Sequence, residues 1–329
     1  MTRIIATLLA FVLAAAAPAY AQTYNLTLSG ASPGGLWSLL GAGVDGAVRA
    51  AYPGSVVTYQ TSGGGIANIV IVDRGEAQMG LAHAQELKMA LDGVEPFKAP
   101  VKSMRAIAYL YTWAPMHLIV TKDFADKYGL KSLADIKAKK APARIAINKR
   151  GNIAGDVSVA MLEAAGITEQ DLESWGGKIV YAASGEQSDL LLNRRIDMVD
   201  NSLFVGHSSV RKIDESLDVV MLSVPKDIAD AVNAKMSTEP FTIPADSYKN
   251  QKEPVETITL SAGLVVNENM SDDDAYTLSK ALYENIDKIQ AVHGSMKALN
   301  KELMASMTVV PYHPGAVRYL KEAGLLKTN

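Results

Sequence analysis

What most constrains this chain is the alternation of short β-prone runs with helical periods, joined each time by a loop of small residues. Tyr24 to Ser29 alternates polar and apolar side chains, placing Leu26 and Leu28 on one face of a strand. Glycines and a proline break it, and Leu36, Leu39, Leu40, Val44 and Val48 then recur at helical spacing from Leu36 to Ala51, stopped by Pro53-Gly54. Val56 to Gln60 reads as a strand, Thr61 to Gly65 as a loop, Ile66 to Arg74 as a short helix and Ala77 to Leu81 as another strand. Such units build a largely parallel sheet covered on both faces, with ligands expected at the carboxyl ends of its strands.

A second series follows. Met116 to Thr121 is a strand, Ser132 caps a helix through Lys137, and Arg144 to Asn148 is a strand. After a glycine-bearing loop, Asp156 to Ala165 has helical spacing and Gly166 ends it. Strands near Lys178 to Tyr181, Ile196 to Asn201 and Asp218 to Leu222 continue the pattern, and Thr257 to Val266 precedes a tail of three helices. Ser271 caps the first of these, with Asp272 to Asp274 suited to the positive end of its dipole, and Pro314-Gly315 opens the last. The 329 residues exceed an ordinary domain and suggest two α/β lobes. The chain is expected to cross between them near Trp113 and Ala262, so that 22–113 and 263–329 form one lobe and 114–262 the other.

Met1 to Ala21 has the layout of a signal peptide: Arg3, an apolar stretch from Ile4 to Ala17, and Ala19-Tyr20-Ala21 as the cleavage site. Cleavage after Ala21 and a periplasmic address are expected, since the apolar stretch is shorter than the ~20 residues that span a bilayer. Zero cysteines exclude disulfides, a thiol nucleophile and a lipid-bearing cysteine. A net charge of -3 with scattered basic residues gives no footprint for nucleic acid. A soluble monomer without cofactor or metal is expected.

Three loops carry the candidate chemistry. Ser29 to Gly35 leads into Leu36-Trp37, and its small residues would let amides approach an anion at a helix amino end. Ser32, Gly35, Leu36 and Trp37 are the candidates there, with a plain tight turn as the alternative reading. Thr61 to Asn68 repeats the recipe with Ser62, Gly64, Gly65 and Asn68, although Asn68 could equally cap its own helix. Asn148 to Asp156 offers Lys149, Arg150 and Asn152, with Arg150 able to hold a carboxylate through two hydrogen bonds or to remain a solvated loop charge. His83, Gln85, Tyr111 and Asn201, after or along other strands, complete the set. Gly41 to Gly46 matches G-x-G-x-x-G but lies inside a helix and lacks the acidic partner about 20 residues on, so it reads as small residues for close packing. Gly206-His207-Ser208 lacks the last glycine of a nucleophile elbow, and the five histidines form no zinc pair.

The two glycine loops, Gly30 to Trp37 and Thr61 to Asn68, and above all the tail Pro311-Tyr312-His313-Pro314-Gly315-Ala316-Val317-Arg318-Tyr319-Leu320-Lys321-Glu322-Ala323-Gly324 resemble the TAXI-type solute receptors of TRAP transporters, over essentially the whole mature chain. The resemblance implies a type II periplasmic-binding-protein fold, two α/β lobes on a two-segment hinge, and cleft closure around a small organic anion. It implies a dicarboxylate or acidic amino acid such as glutamate, delivered to the sodium-driven TRAP membrane permease. Lys149-Arg150-Gly151-Asn152, with Ile153 and Ala154, replaces the family's Gly-Ser-Gly-Thr, which points to a more anionic or bulkier solute, and Gly206-His207-Ser208 stands where the family has glycine-x-proline, which points to a rearranged segment there. The rival readings are a secreted enzyme with His83 or His117 as general base, and a sensory receptor for a kinase.

Overall fold

The computed structural model describes residues 22–33 and 35–326, so the signal-peptide reading and Gly34 lie outside the described residues. The first lobe opens with β1 (Asn25–Ser29), α1 (Leu36–Ala51), β2 (Val56–Gln60), α2 (Gly65–Asp73), β3 (Met79–His83) and α3 (Ala84–Asp92). β1 pairs in parallel with β2 and β3. Leu28, Val57, Met79 and Leu81 bury against Leu40, Val44 and Val48 of α1, the stripe set by its helical spacing.

β4 (Met104–Thr121) is 18 residues long and runs through both halves of the sheet. It is followed by α4 (Lys122–Tyr128), α5 (Leu133–Lys139), β5 (Arg144–Ile147), α6 (Ile153–Ala164), α7 (Glu169–Ser174), β6 (Lys178–Tyr181), α8 (Ser184–Leu192), β7 (Met198–Ser202), α9 (Ser208–Ser216), β8 (Val219–Met221), α10 (Lys226–Met236) and β9 (Glu239–Ile243). β10 (Val255–Asn267) returns to the first lobe, where α11 (Asp272–Glu284), α12 (Ile286–Gln290), a 3-10 turn, α13 (Lys301–Met304) and α14 (Pro314–Glu322) close the chain.

The sheet order is β2-β1-β3-β10-β4-β7-β5-β6, with β8 on β4 and β9 on β10. β4 faces β10 from Met104 to Pro115 and then β7 from Met116 onward. β10 changes partner from β9 to β3 between Thr259 and Ala262, where its register against β4 is irregular. Two antiparallel strands thus carry the chain between two largely parallel half-sheets, each with its own apolar core. Among the described residues no helix is long and apolar enough to cross a membrane.

Local chemistry explains the close packing. A side chain at Gly41 would enter the Tyr59 ring, at 2.3 Å, and one at Gly43 would meet the Ile289 backbone at 3.0 Å. The G-x-G-x-x-G run is therefore a packing surface. In the tail, buried His313 caps α14 by accepting from the Gly315 amide at 3.2 Å, and Pro314 occupies the first turn. A Cβ on Gly315 would lie 2.0 Å from the Asp272 carbonyl. The tail motif is thus the clamp of α14 on α11, and Ala106 of β4 exchanges backbone hydrogen bonds with Pro311 and His313.

Candidate functional site

Between the half-sheets lies a cavity of about 40 Å³, lined by Ala31, Ser32, Gly35, Leu36, Trp37, His83, Tyr111, Asn148, Asn152, Ala154, Ser184 and Ser202. By that measure it holds about three water molecules, or one compact polar group. It sits at the carboxyl ends of β1, β3, β5, β6 and β7, where such sheets place ligands.

Three helices point their amino ends at it. α1 starts after Gly35, with no side-chain cap and no acidic residue in its first turn. α8 starts at Ser184 after Ala183, also without a side-chain cap. α6 starts after Asn152, whose Oδ1 accepts from the Ala154 amide at 3.0 Å. Each end carries a partial positive charge, and uncapped amides await an acceptor. Ser184 is held by Asn201 Nδ2 at 3.0 Å and Asn148 Nδ2 at 3.2 Å, so its hydroxyl is oriented from behind. Among the described residues no Lys, Arg, Asp or Glu lines the cavity.

The first-lobe wall is aromatic. The Trp37 and His83 rings lie 4.7 Å apart at 32°. Trp37 Nε1 donates to the Tyr111 hydroxyl at 2.9 Å, and that hydroxyl is 3.4 Å from His83 Nε2. Burial of Tyr111 pushes its pKa well up, keeping it a neutral donor. Behind His83 sits Glu86, fully buried, accepting from the His83 amide at 2.8 Å and lying 3.0 Å from His83 Nδ1.

The β1–α1 loop is fixed by Tyr59, whose hydroxyl accepts from the Ala31 amide at 2.7 Å and donates to the Ala31 carbonyl at 3.1 Å. Burial raises the Tyr59 pKa to about 12. Its ring fills the space a Cβ at Gly30 would need. A run of small residues therefore becomes a rigid wall.

Of the residues singled out by sequence, Ser32, Gly35, Leu36, Trp37, His83, Tyr111 and Asn152 meet at this cavity. The others do not. Asn68 is fully buried and works as an internal clamp: its Oδ1 lies 2.6 Å from the hydroxyls of both Ser29 and Ser62, and its Nδ2 donates to the Leu81 carbonyl at 2.7 Å. Gly65 makes room for Glu86, whose carboxylate would lie 1.7 Å from a Cβ there, so the protein's own carboxylate occupies the amino end of α2. Gly64, at φ +123, abuts Asn152 across the cleft. Gln85 reaches across the lobes to donate to the Ser237 carbonyl at 2.7 Å, and Asn201 stands behind Ser184.

Arg150 and Lys149 do not join this cavity. Gly151, at φ +80, turns the loop so that Asn152 faces inward and Arg150 outward. The Arg150 guanidinium stacks 3.8 Å over the Tyr181 ring, 3.8 Å from Glu169, with 71% of the side chain exposed. It borders a separate outer groove of about 790 Å³, walled by Ile66, Met89 and Val94 on one side and Ile153, Val159 and Tyr181 on the other. Lys149 is exposed. His117, the other histidine considered as a base, is fully buried between the Pro115 carbonyl at 3.0 Å and the Tyr248 hydroxyl at 2.9 Å, and burial lowers its pKa to about 4.

Ala31, Asn148, Ala154, Ser184 and Ser202 line the cavity without having been singled out. The run Ala182-Ala183-Ser184-Gly185 after a strand carried the same small-residue signal as the other loops. Glu86 was visible only as the residue three beyond His83, a capping-box spacing.

Solved structures share this architecture at low identity. PhnD1 from Prochlorococcus marinus in complex with methylphosphonate aligns with a TM-score of 0.55 and 11% identity, over 82% of this chain and 89% of that one. MatC from Rhodopseudomonas palustris with bound malate gives 0.52 and 11%, over 83% and 88%. A TctC solute-binding protein from Polaromonas gives 0.50 and 14%, over 92% and 99%. At such identities the likeness shows the periplasmic-binding-protein fold, and function must rest on the site. A model of the NMT1-like family matches residues 28–324, essentially all of the described chain, and the protein therefore belongs to that family.

Proposed function

We propose that this protein is a periplasmic solute receptor that captures a small organic anion between its lobes and transforms nothing. The observation that carries this reading is the convergence of the amino ends of α1, α6 and α8 on one cavity that no Lys, Arg, Asp or Glu lines among the described residues. Each helix end favours an anion by about 0.3–1 kcal/mol, more where the site is partly buried. Closing two lobes on the solute adds what open water would screen. His83 is tied to Glu86 and Tyr111, and Ser184 of the same cavity is held by Asn148 and Asn201 and not by a base, which favours binding over catalysis.

The strand-partner switches at Pro115/Met116 and between Thr259 and Ala262 support a hinge there, with 22–113 and 263–329 closing on 114–262. In the finer reading, the resemblance of the tail and glycine loops makes it a TAXI-type receptor delivering its solute to a TRAP permease. A carboxylate, from glutamate or a dicarboxylate down to a smaller acid, is the solute class to test. Thermal-shift screening followed by titration calorimetry on the purified mature protein is the experiment. Saturable binding of a small anion without turnover supports the reading, and the absence of any binder across carboxylates, sulfonates and phosphonates refutes it.

A further inference from the structure

The charge pattern behind the first-lobe wall narrows the solute. A carboxylate oxygen only accepts, so the 3.0 Å contact between Glu86 Oε2 and His83 Nδ1 places the imidazole proton on Nδ1. Glu86 also accepts from the His83 amide and fills the space that a side chain at Gly65 would need, which holds it in place beside His83. Nε2 is then an acceptor whose polar neighbour among the described residues is the Tyr111 hydroxyl, which accepts from Trp37 and can donate to Nε2 only over a long 3.4 Å. His83 is 5% exposed and borders the cavity. An acceptor backed by the buried Glu86 carboxyl therefore borders a chamber that also offers, at Gly35, Asn152 and Ser184, donors and helix amino ends.

Resting on the receptor reading above, we propose that the solute is a compact acid with one anionic group and one hydrogen-bond donor, a hydroxyl or an ammonium. The donor meets His83 Nε2, and Glu86 is the positioning residue that makes this possible. A plain acid leaves Nε2 with no more than the long contact to Tyr111, and a second anionic group is placed against the Glu86 side.

The test is titration calorimetry with propionate, lactate, alanine, glutamate and succinate on wild-type protein and Glu86→Gln. Lactate or alanine is expected to bind at least about tenfold tighter than propionate. The lactate and alanine arms separate a hydroxyl from an ammonium. In Glu86→Gln the amide oxygen takes the place of Oε2 and keeps its contacts to the His83 amide and Nδ1, but the carboxylate is gone, so Nε2 becomes a weaker acceptor, the preference for lactate or alanine over propionate falls, and succinate gains relative to propionate. Equal affinities for propionate and its donor-bearing analogues in wild type, or an unchanged preference in folded Glu86→Gln, overturn the inference and leave the receptor reading standing. Silence from every anion overturns both. If Glu86→Gln does not fold, nitrogen NMR of wild-type His83 decides, with Nδ1-H expected and Nε2-H contradicting.

Discussion

Replacing Asp200 with asparagine should make the protein more stable above neutrality and hardly change it in acid. Asp200 lies in β7, one residue before Asn201 and two before Ser202, and is 2% exposed. Its Oδ1 has no hydrogen-bond partner. Burial raises its pKa from 3.8 to about 7, opposed by a hydrogen bond from Ser158. Between these two values the native state holds a proton that the unfolded chain has lost, so stability falls as pH rises through the window. It is fully present below pH 3.8 and spent above about pH 7. About three units at about 1.4 kcal/mol each give a total of about 4 kcal/mol. Urea denaturation of wild type and Asp200→Asn at intervals from pH 4 to 8 isolates this effect, because every other group cancels in the difference. The variant should match wild type within about 1 kcal/mol near pH 4 and exceed it by up to about 4 kcal/mol at pH 8. A difference that stays flat across the range refutes the reasoning.

Other expectations follow from the same contacts. Arg150→Ala should leave solute affinity within about twofold in calorimetry, because the guanidinium is engaged by Tyr181 outside the chamber. Gly64→Val should cost about 1–3 kcal/mol of stability and weaken binding at least about tenfold, since φ is +123 and the new Cβ would meet Asn152 at 3.2 Å; denaturation and titration check it. Tyr59→Phe should lose about 1–3 kcal/mol by denaturation, because it leaves the Ala31 amide without its partner. His207 and His293 stack 6.1 Å apart, each accepting a backbone amide at Nδ1, with Arg211 beside His293 and His207 acting in turn on His117. Burial first, and His293 next, lower the His207 pKa from 6.5 to about 4, so the unfolded chain binds the extra proton and stability is lost as pH falls through that window. His207→Asn, which keeps a capping oxygen, should remove about 3 kcal/mol of this loss in denaturation between pH 7 and 4.

Much of the architecture was legible in local pattern. The helix Leu36–Ala51 and the strands Val56–Gln60 and Lys178–Tyr181 fall where periodicity and turn residues put them. Long-range pairing was harder to read. β4 extends twelve residues before Met116, because β10 lies alongside and holds Pro115 in register with Thr259, which no local signal reveals. Asn152 moves the start of α6 to Ile153 by capping it. The small-residue loops found half of the chamber, since glycine and serine before a helix mean the same thing wherever they occur. Two features were beyond pattern. The positive φ of Gly151 sends Arg150 outward and Asn152 inward, and only the folded loop fixes that choice. Glu86 fills the amino end of α2 from a different helix, turning one anticipated anion loop into structure.

The most direct test of the central claim is a crystal structure of the mature protein grown with whichever of lactate, alanine, glutamate or succinate binds tightest. The account predicts the carboxylate between the amino ends of α1, α6 and α8, against Gly35, Asn152 and Ser184, with no Lys or Arg in contact. A ligand seated instead in the outer groove beside Arg150 and Tyr181 would contradict it.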